Sequence, residues 1–299
     1  MNMALYSSDA LAGKRILVTG GGTGLGKGMA KHFAALGATV HLWGRRIEVL
    51  EAAAAEINAD YPAPRAFVQT VDIRKADLVD AAVGEIFEKF GPLTGLVNNA
   101  AANFIAPTKD LSPRGFEAIT STVMNGGFFT THAVCKRWIA MKLPGSVVST
   151  LVTWIWTGSA YVVPSAMAKA AINAMTMSLA VEWAKYGIRL NAVAPGPFPT
   201  EYAWQMLSPT GDAAVGATQA DEVPAGRYGK MEELGNLMTL LMSDGADYIT
   251  GETICIDGGH HLAAPSTFAG LNKLDDAAWA KIKEAGVAAT NASKAQRSV

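Results

Sequence analysis

The chain has 299 residues, 50% of them hydrophobic and 17% charged, a balance that supports a large apolar core and excludes a disordered polymer. A formal net charge of −1 gives no electrostatic reason to expect nucleic acid or an acidic membrane surface as partner, which leaves small-molecule chemistry. No apolar run reaches the ~18 residues of a membrane span, and the opening "MNMALYSSDA" lacks a basic flank followed by a long apolar stretch, so a cytoplasmic protein is expected.

Short β-branched runs alternate with helical patterns. Lys14 to Gly20 reads as a buried strand, Leu25 to Leu36 as the helix after it and Thr39 to Gly44 as the next strand. Leu78, Val79, Ala82, Val83, Ile86, Phe87 and Phe90 recur at helical spacing, which predicts an amphipathic helix over Lys75 to Phe90. "TGLVNNA" follows as a strand, and further strands are expected at Gly145 to Val152, Ile188 to Gly196 and Thr253 to Gly259, each preceded by a helical segment. This alternation implies an α/β fold: one doubly wound parallel sheet with helices on both faces and right-handed crossovers, as in a single-domain Rossmann fold over residues 1–264. Residues 197–226, rich in small side chains, read as an insertion over a site, and 265–299 as a C-terminal helical extension whose last stretch, "GVAATNASKAQRSV", is a frayed tail. Cys135 and Cys255 lie far apart among apolar residues and read as buried free thiols, with no disulfide and no metal expected.

The turn between the first strand and helix, "VTGGGTGLGKGMA", spaces Gly20, Gly24 and Gly26 as GxxxGxG. Glycines there let the backbone turn tightly and bring N–H groups and the helix N-terminus against a pyrophosphate. Thr23 and Leu25 belong to the same turn. At the end of the second strand an acidic residue would hold a ribose 2′-hydroxyl; "WGRR" instead supplies Arg45 and Arg46, which suit a 2′-phosphate and favour NADP(H).

From Lys14 to about Gly259 these residues resemble the short-chain dehydrogenase/reductase family. Thr19 to Gly26 matches its TGxxxGxG loop, Asn98, Asn99 and Ala100 its NNAG strand end, Asn125 its catalytic asparagine, Lys169 its lysine, and Pro195 and Gly196 its PG turn. "NNAAANF", "VVPSAMAKA" and "APGP" look most like the 2,4-dienoyl-CoA reductase branch, which also carries serine, here Ser165, where the wider family has tyrosine. The resemblance implies that Asp72 and Ile73 lie by the adenine, Asn99 and Ala100 by the ribose, and Pro195, Gly196 and Phe198 along the nicotinamide. It implies acyl-CoA contacts for Arg74, Phe104 and Ser112, and hydrogen bonds from Lys169 to the nicotinamide ribose. It further implies a homo-oligomer, a tetramer, with interfaces on the helices around Phe116 to Met141 and Ser165 to Tyr186.

The pattern departs from the branch in its acid. The tyrosine expected eleven residues before Ser165 is Trp154, and the family's serine position, thirteen before, is Val152. Three readings stand open: Tyr161 reaches in from the loop, the indole N–H of Trp154 donates a hydrogen bond, or activity has been lost and the chain only binds NADP. Residues 200–226 hold Glu201, Asp212, Asp221 and Glu222 and no Lys or Arg, with Met206 where the branch has a CoA-contacting arginine, so Arg74, Lys75, Lys109 and Arg114 are the cations left for CoA phosphates. Phe104, Trp154, Trp156, Phe198 and Trp204 suit an apolar substrate pocket. The expected function is NADPH-dependent reduction of a conjugated C=C in a fatty acyl thioester; the alternatives are reduction of an unrelated apolar carbonyl or enone through Tyr161, and binding without catalysis.

Overall fold

The computed structural model describes residues 5–200, 220–263, 271 and 274–295. Its frame is a seven-stranded parallel sheet in the order β3-β2-β1-β4-β5-β6-β7. The strands are β1 (Arg15–Thr19), β2 (Thr39–Gly44), β3 (Ala66–Thr70), β4 (Gly95–Asn98), β5 (Gly145–Thr150), β6 (Ile188–Pro195) and β7 (Thr253–Ile256). Between and after them run α1 (Gly24–Ala35), α2 (Ile47–Asn58), α3 (Ala76–Phe90), α4 (Pro113–Thr120), α5 (Gly126–Met141), α6 (Trp154–Thr157), α7 (Val163–Trp183), α8 (Met231–Met242), α9 (His260–Ala263) and α10 (Asp276–Ala295).

Both faces of the sheet are covered, which is why the strands read as unbroken apolar runs rather than alternating ones. Ile16 and Val18 of β1 pack in one layer with Met29 and Phe33 of α1 and Met238 of α8. Leu17, pointing the other way, packs with Val83 of α3 and Trp138 of α5. Among the described residues no helix is long and apolar enough to cross a membrane.

Six strands agree with the sequence reading to within a few residues, but β3 was not foreseen. It is an edge strand with one neighbour and a half-exposed face. Asn58 starts it: its side-chain oxygen accepts from the backbone N–H groups of Arg65 and Ala66, both at 2.8 Å. Helix α10 runs through the stretch read as a tail from Gly286 as far as Ala295. Most of the 197–226 insertion, with Glu201, Trp204, Met206 and Asp212, lies outside the described residues.

The chain winds outward from β1 to β3 and then returns to place β4 on β1's other side. The strand order therefore reverses between β1 and β4, and their carboxyl ends open the crevice where ligands bind in such sheets.

Candidate active site

The crevice is held shut at its base by one threonine. Thr19 Oγ1 accepts from the backbone N–H groups of Asn99 and Ala100, each at 3.0 Å, and donates to the Val97 carbonyl at 3.3 Å. The Asn99 side chain donates back to the Thr19 carbonyl at 3.1 Å. These bonds bring the glycine turn so close to β4 that side chains are excluded. A Cβ on Gly26 would stand 2.2 Å from the Gly20 carbonyl oxygen and 2.6 Å from Asn99 Nδ2, and one on Gly20, whose φ is +66°, would stand 2.9 Å from Ala100 Cα.

Thr23 caps α1 with extended backbone but without a side-chain hydrogen bond, so the first-turn N–H groups keep their capacity for an external acceptor. A turn closed to a Cβ at Gly20 and Gly26 and open to an anion fits the pyrophosphate of a nicotinamide dinucleotide, with Gly20, Gly24, Leu25 and Gly26 supplying the backbone.

At the neighbouring strand ends, Arg45 is exposed and Arg46 is the N-cap of α2. Arg74 forms a two-pronged pair with Asp72, with Nε 2.8 Å from Oδ1 and Nη2 2.5 Å from Oδ2. That pairing, helped by the charge of Arg45, holds the Asp72 carboxyl below its ordinary pKa. Arg74 thus meets any ligand as half of an ion pair with Asp72. Ile73 is buried against Gly126, where a Cβ would meet its Cδ1 at 2.6 Å.

Asn125 closes a single π-helical turn, Ser121–Asn125, between α4 and α5. A widened turn of this kind displaces one residue from the regular ladder. Among the described residues no hydrogen bond engages the Asn125 side chain. Across from it, α7 packs against this turn. Lys169 of α7 is buried, its ammonium donates to the Thr150 carbonyl at the end of β5, and burial pushes its pKa down to about 8. Ser165, one turn earlier on the same helix, is buried as well.

The remaining predicted positions divide. Pro195 ends β6, and Gly196 lies flat on Asp257, where a Cβ would approach to 2.5 Å. Phe198 follows them; it is 6% exposed and its ring packs in the main core against Gly229. Phe104 packs beside Ile119 and Val123. Ser112 is the exposed N-cap of α4 and accepts from Gly115 N–H at 3.1 Å, a bond that caps the helix. Lys109 is paired with Asp276 at 3.1 Å. Tyr161 has φ +66°, and its ring rests on Trp279 of α10, 4.5 Å between centroids; Trp154 joins the same apolar cluster. Trp156 is half-exposed with its ring 5.4 Å from that of His261.

Cys135 is fully buried as expected. Cys255 is not set apart from other donors: its sulfur lies 3.3 Å from His261 Nδ1, which is 2.8 Å from Asp257 Oδ2. The three could hold a metal by type, but Asp257 already accepts from the N–H groups of Gly259 and His261, at 2.9 and 2.7 Å, and burial pushes the Cys255 thiol up to about 12. The trio braces the turn after β7 against Gly196.

Two contributors escaped the sequence: the Thr150 carbonyl, which as backbone has no signature, and Trp279. The signal for the latter was an apolar pair, Trp279 and Ile282, three apart in a polar segment after Asp275 and Asp276.

A glycine cradle at the switch point of a doubly wound sheet, with a buried lysine on the helix packed against the turn that carries Asn125, fits an oxidoreductase that works with a nicotinamide dinucleotide. The family model described as enoyl-(acyl carrier protein) reductase matches residues 20–261. A probable 2,4-dienoyl-CoA reductase of Bacillus subtilis (strain 168) is 40% identical over 83% of this chain and 97% of its own. A crystal structure of a short chain dehydrogenase from Bacillus anthracis superposes with a TM-score of 0.77 at 40% identity, covering 86% of this chain and 99% of that one. A gluconate 5-dehydrogenase from Burkholderia cenocepacia, in complex with NADP and tartrate, is similar at 29% identity and TM-score 0.77, over 86% and 99% of the two chains. The chain belongs to the short-chain dehydrogenase/reductase family.

Proposed function

We propose that the protein is an NADPH-dependent reductase of a conjugated C=C in a 2,4-dienoyl-CoA or similar fatty acyl thioester. Carrying this reading is the presence of Asn125 on the π-helical turn and Lys169 on the helix packed against it, in a chain whose tyrosine positions hold Ser165 and Trp154. Carbonyl reduction produces an alkoxide that must be protonated, a step in which a general acid contributes about 10²–10⁴-fold. Hydride addition to a dienoyl thioester gives a delocalised dienolate, whose oxygen needs fixed hydrogen-bond donors while water protonates carbon.

NADPH, when bound, supplies the hydride. The other roles fall to side chains. Asn125 donates to the thioester oxygen; Ser165 and the Trp154 indole N–H are the further donors of the site. Lys169, held by the Thr150 carbonyl, orients the nicotinamide ribose and adds positive potential. Asp72, Ile73, Asn99 and Ala100 flank the adenosine half, and Pro195 and Gly196 the nicotinamide. Arg45 and Arg46 choose the 2′-phosphate, a choice in keeping with the NADP named in the Burkholderia complex.

Exposed apolar side chains on α5 and α7, among them Phe128, Met177 and Val181 at 84%, support a homo-oligomer, a tetramer by family resemblance. The test of function is loss of NADPH absorbance on adding dienoyl-CoAs of several chain lengths, with NADH as comparison. Turnover with NADPH in preference to NADH is expected; none at any length removes this substrate class.

A further inference from the structure

We infer that Trp279, carried on α10, forms the far wall of the substrate pocket and limits the length of acyl chain the enzyme accepts. This rests on the acyl-thioester reading above.

Helix α10 lies beyond residue 261, where the family match ends. Asp275 starts it, accepting from Ala278 N–H at 2.8 Å through its carboxylate. Among the described residues, only those of the first turns are docked. Trp279 and Ile282 are 9% and 8% exposed, whereas residues 283–291 are all exposed. The docked face closes on Ile105, Val162, Tyr161 and Trp154.

Those four come from the segments after β4 and β5, at the carboxyl ends of the strands, the side on which ligands bind in such sheets. Trp154 holds the place of the branch's acid. The loops are already tied together by the Ala106 N–H, which donates to the Tyr161 carbonyl at 3.0 Å. The Trp279 ring lies 4.5 Å from that of Tyr161, tilted by 44°. On this proposal an acyl chain running past Trp154 ends against the cluster of Tyr161, Val162, Ile105 and Trp279, the last carried on α10. In such a pocket each methylene admitted or refused is worth about tenfold or more in selectivity.

The experiment compares the full chain with Trp279→Ala and Trp279→Phe. Two readouts are kept apart: NADPH oxidation with C8 and C14 2,4-dienoyl-CoAs, and calorimetric titration of saturated octanoyl-CoA and tetradecanoyl-CoA into NADP-loaded protein. Trp279→Ala is expected to shift the C14/C8 ratio upward about tenfold in both readouts, and Trp279→Phe to restore most of the original preference. Unchanged ratios in Trp279→Ala, with NADPH affinity and thermal midpoint showing it folded, overturn the wall. Shifted binding ratios without any NADPH oxidation by the unaltered chain sink the reductase reading and leave the wall standing. Failure of the unaltered chain to bind either thioester overturns both.

Discussion

Lys169 is the residue whose environment speaks most directly about chemistry. Burial lowers its pKa from 10.5 to about 8, so its ammonium is present below that pH and lost above it. Reductase kcat/KM is accordingly expected to fall about tenfold per pH unit above pH ~8, as for one required proton. Lys169→Met should lower the rate and abolish that inflection; an inflection that persists would assign it to another group. The sign for stability is opposite. Between about pH 8 and 10.5 the unfolded chain holds the proton that the folded chain has lost, so folding strengthens as pH rises through that window. A urea titration at pH 8 and 10 tests this against the activity profile. Lys169 itself was legible from its motif, but not its partner, because the Thr150 carbonyl reaches it only once β5 lies under α7.

At the scale of elements, the glycine turn, Thr19 and the end of β4 act as one piece. Substituting Gly26 by Ala pushes a methyl into the Gly20 carbonyl and Asn99 Nδ2, and neither can retreat without breaking the bonds that join β1 to β4. The expected cost is about 1–3 kcal/mol of stability, with NADPH affinity reduced at least tenfold by fluorescence titration. Gly286→Ala, on the exposed part of α10 where a Cβ meets nothing, is the control and should leave NADPH affinity unchanged. Spacing alone identified this turn, since GxxxGxG encodes a local backbone requirement. Spacing says nothing of where the Phe198 ring goes, which is against Gly229 in the core. It missed β3, a strand set by pairing with β2 and by Asn58 rather than by an apolar run.

At the scale of the whole molecule, sensitivity to acid includes a buried histidine of the sheet. His41 on β2 is 2% exposed between the rings of Phe67 and Phe90, and burial, with a smaller push from Arg15, lowers its pKa to about 4. The folded chain therefore binds fewer protons than the unfolded one between the ordinary value of 6.5 and about 4, and stability drops as pH falls through that range, by about 3 kcal/mol in full. Urea midpoints at pH 7 and 4.5 should show the drop, and His41→Leu should flatten it. An equal slope in His41→Leu would place the acid sensitivity elsewhere.

The sequence by itself determined the alternating βα order, the phosphate-binding turn, the family and the residues of the motif, because each is written in spacing between near neighbours. Only the tertiary structure decided what stands around the missing tyrosine. It turned Tyr161 onto Trp279, placed Trp154 in that same cluster, paired Arg74 with Asp72 and gathered Cys255 and His261 about Asp257. Arg74 with Asp72 and the trio about Asp257 are near neighbours in sequence; the contacts of Trp279 with Tyr161 and Trp154 join distant parts of the chain. They depend on which apolar faces find each other when the sheet closes, and local spacing carries no record of that choice.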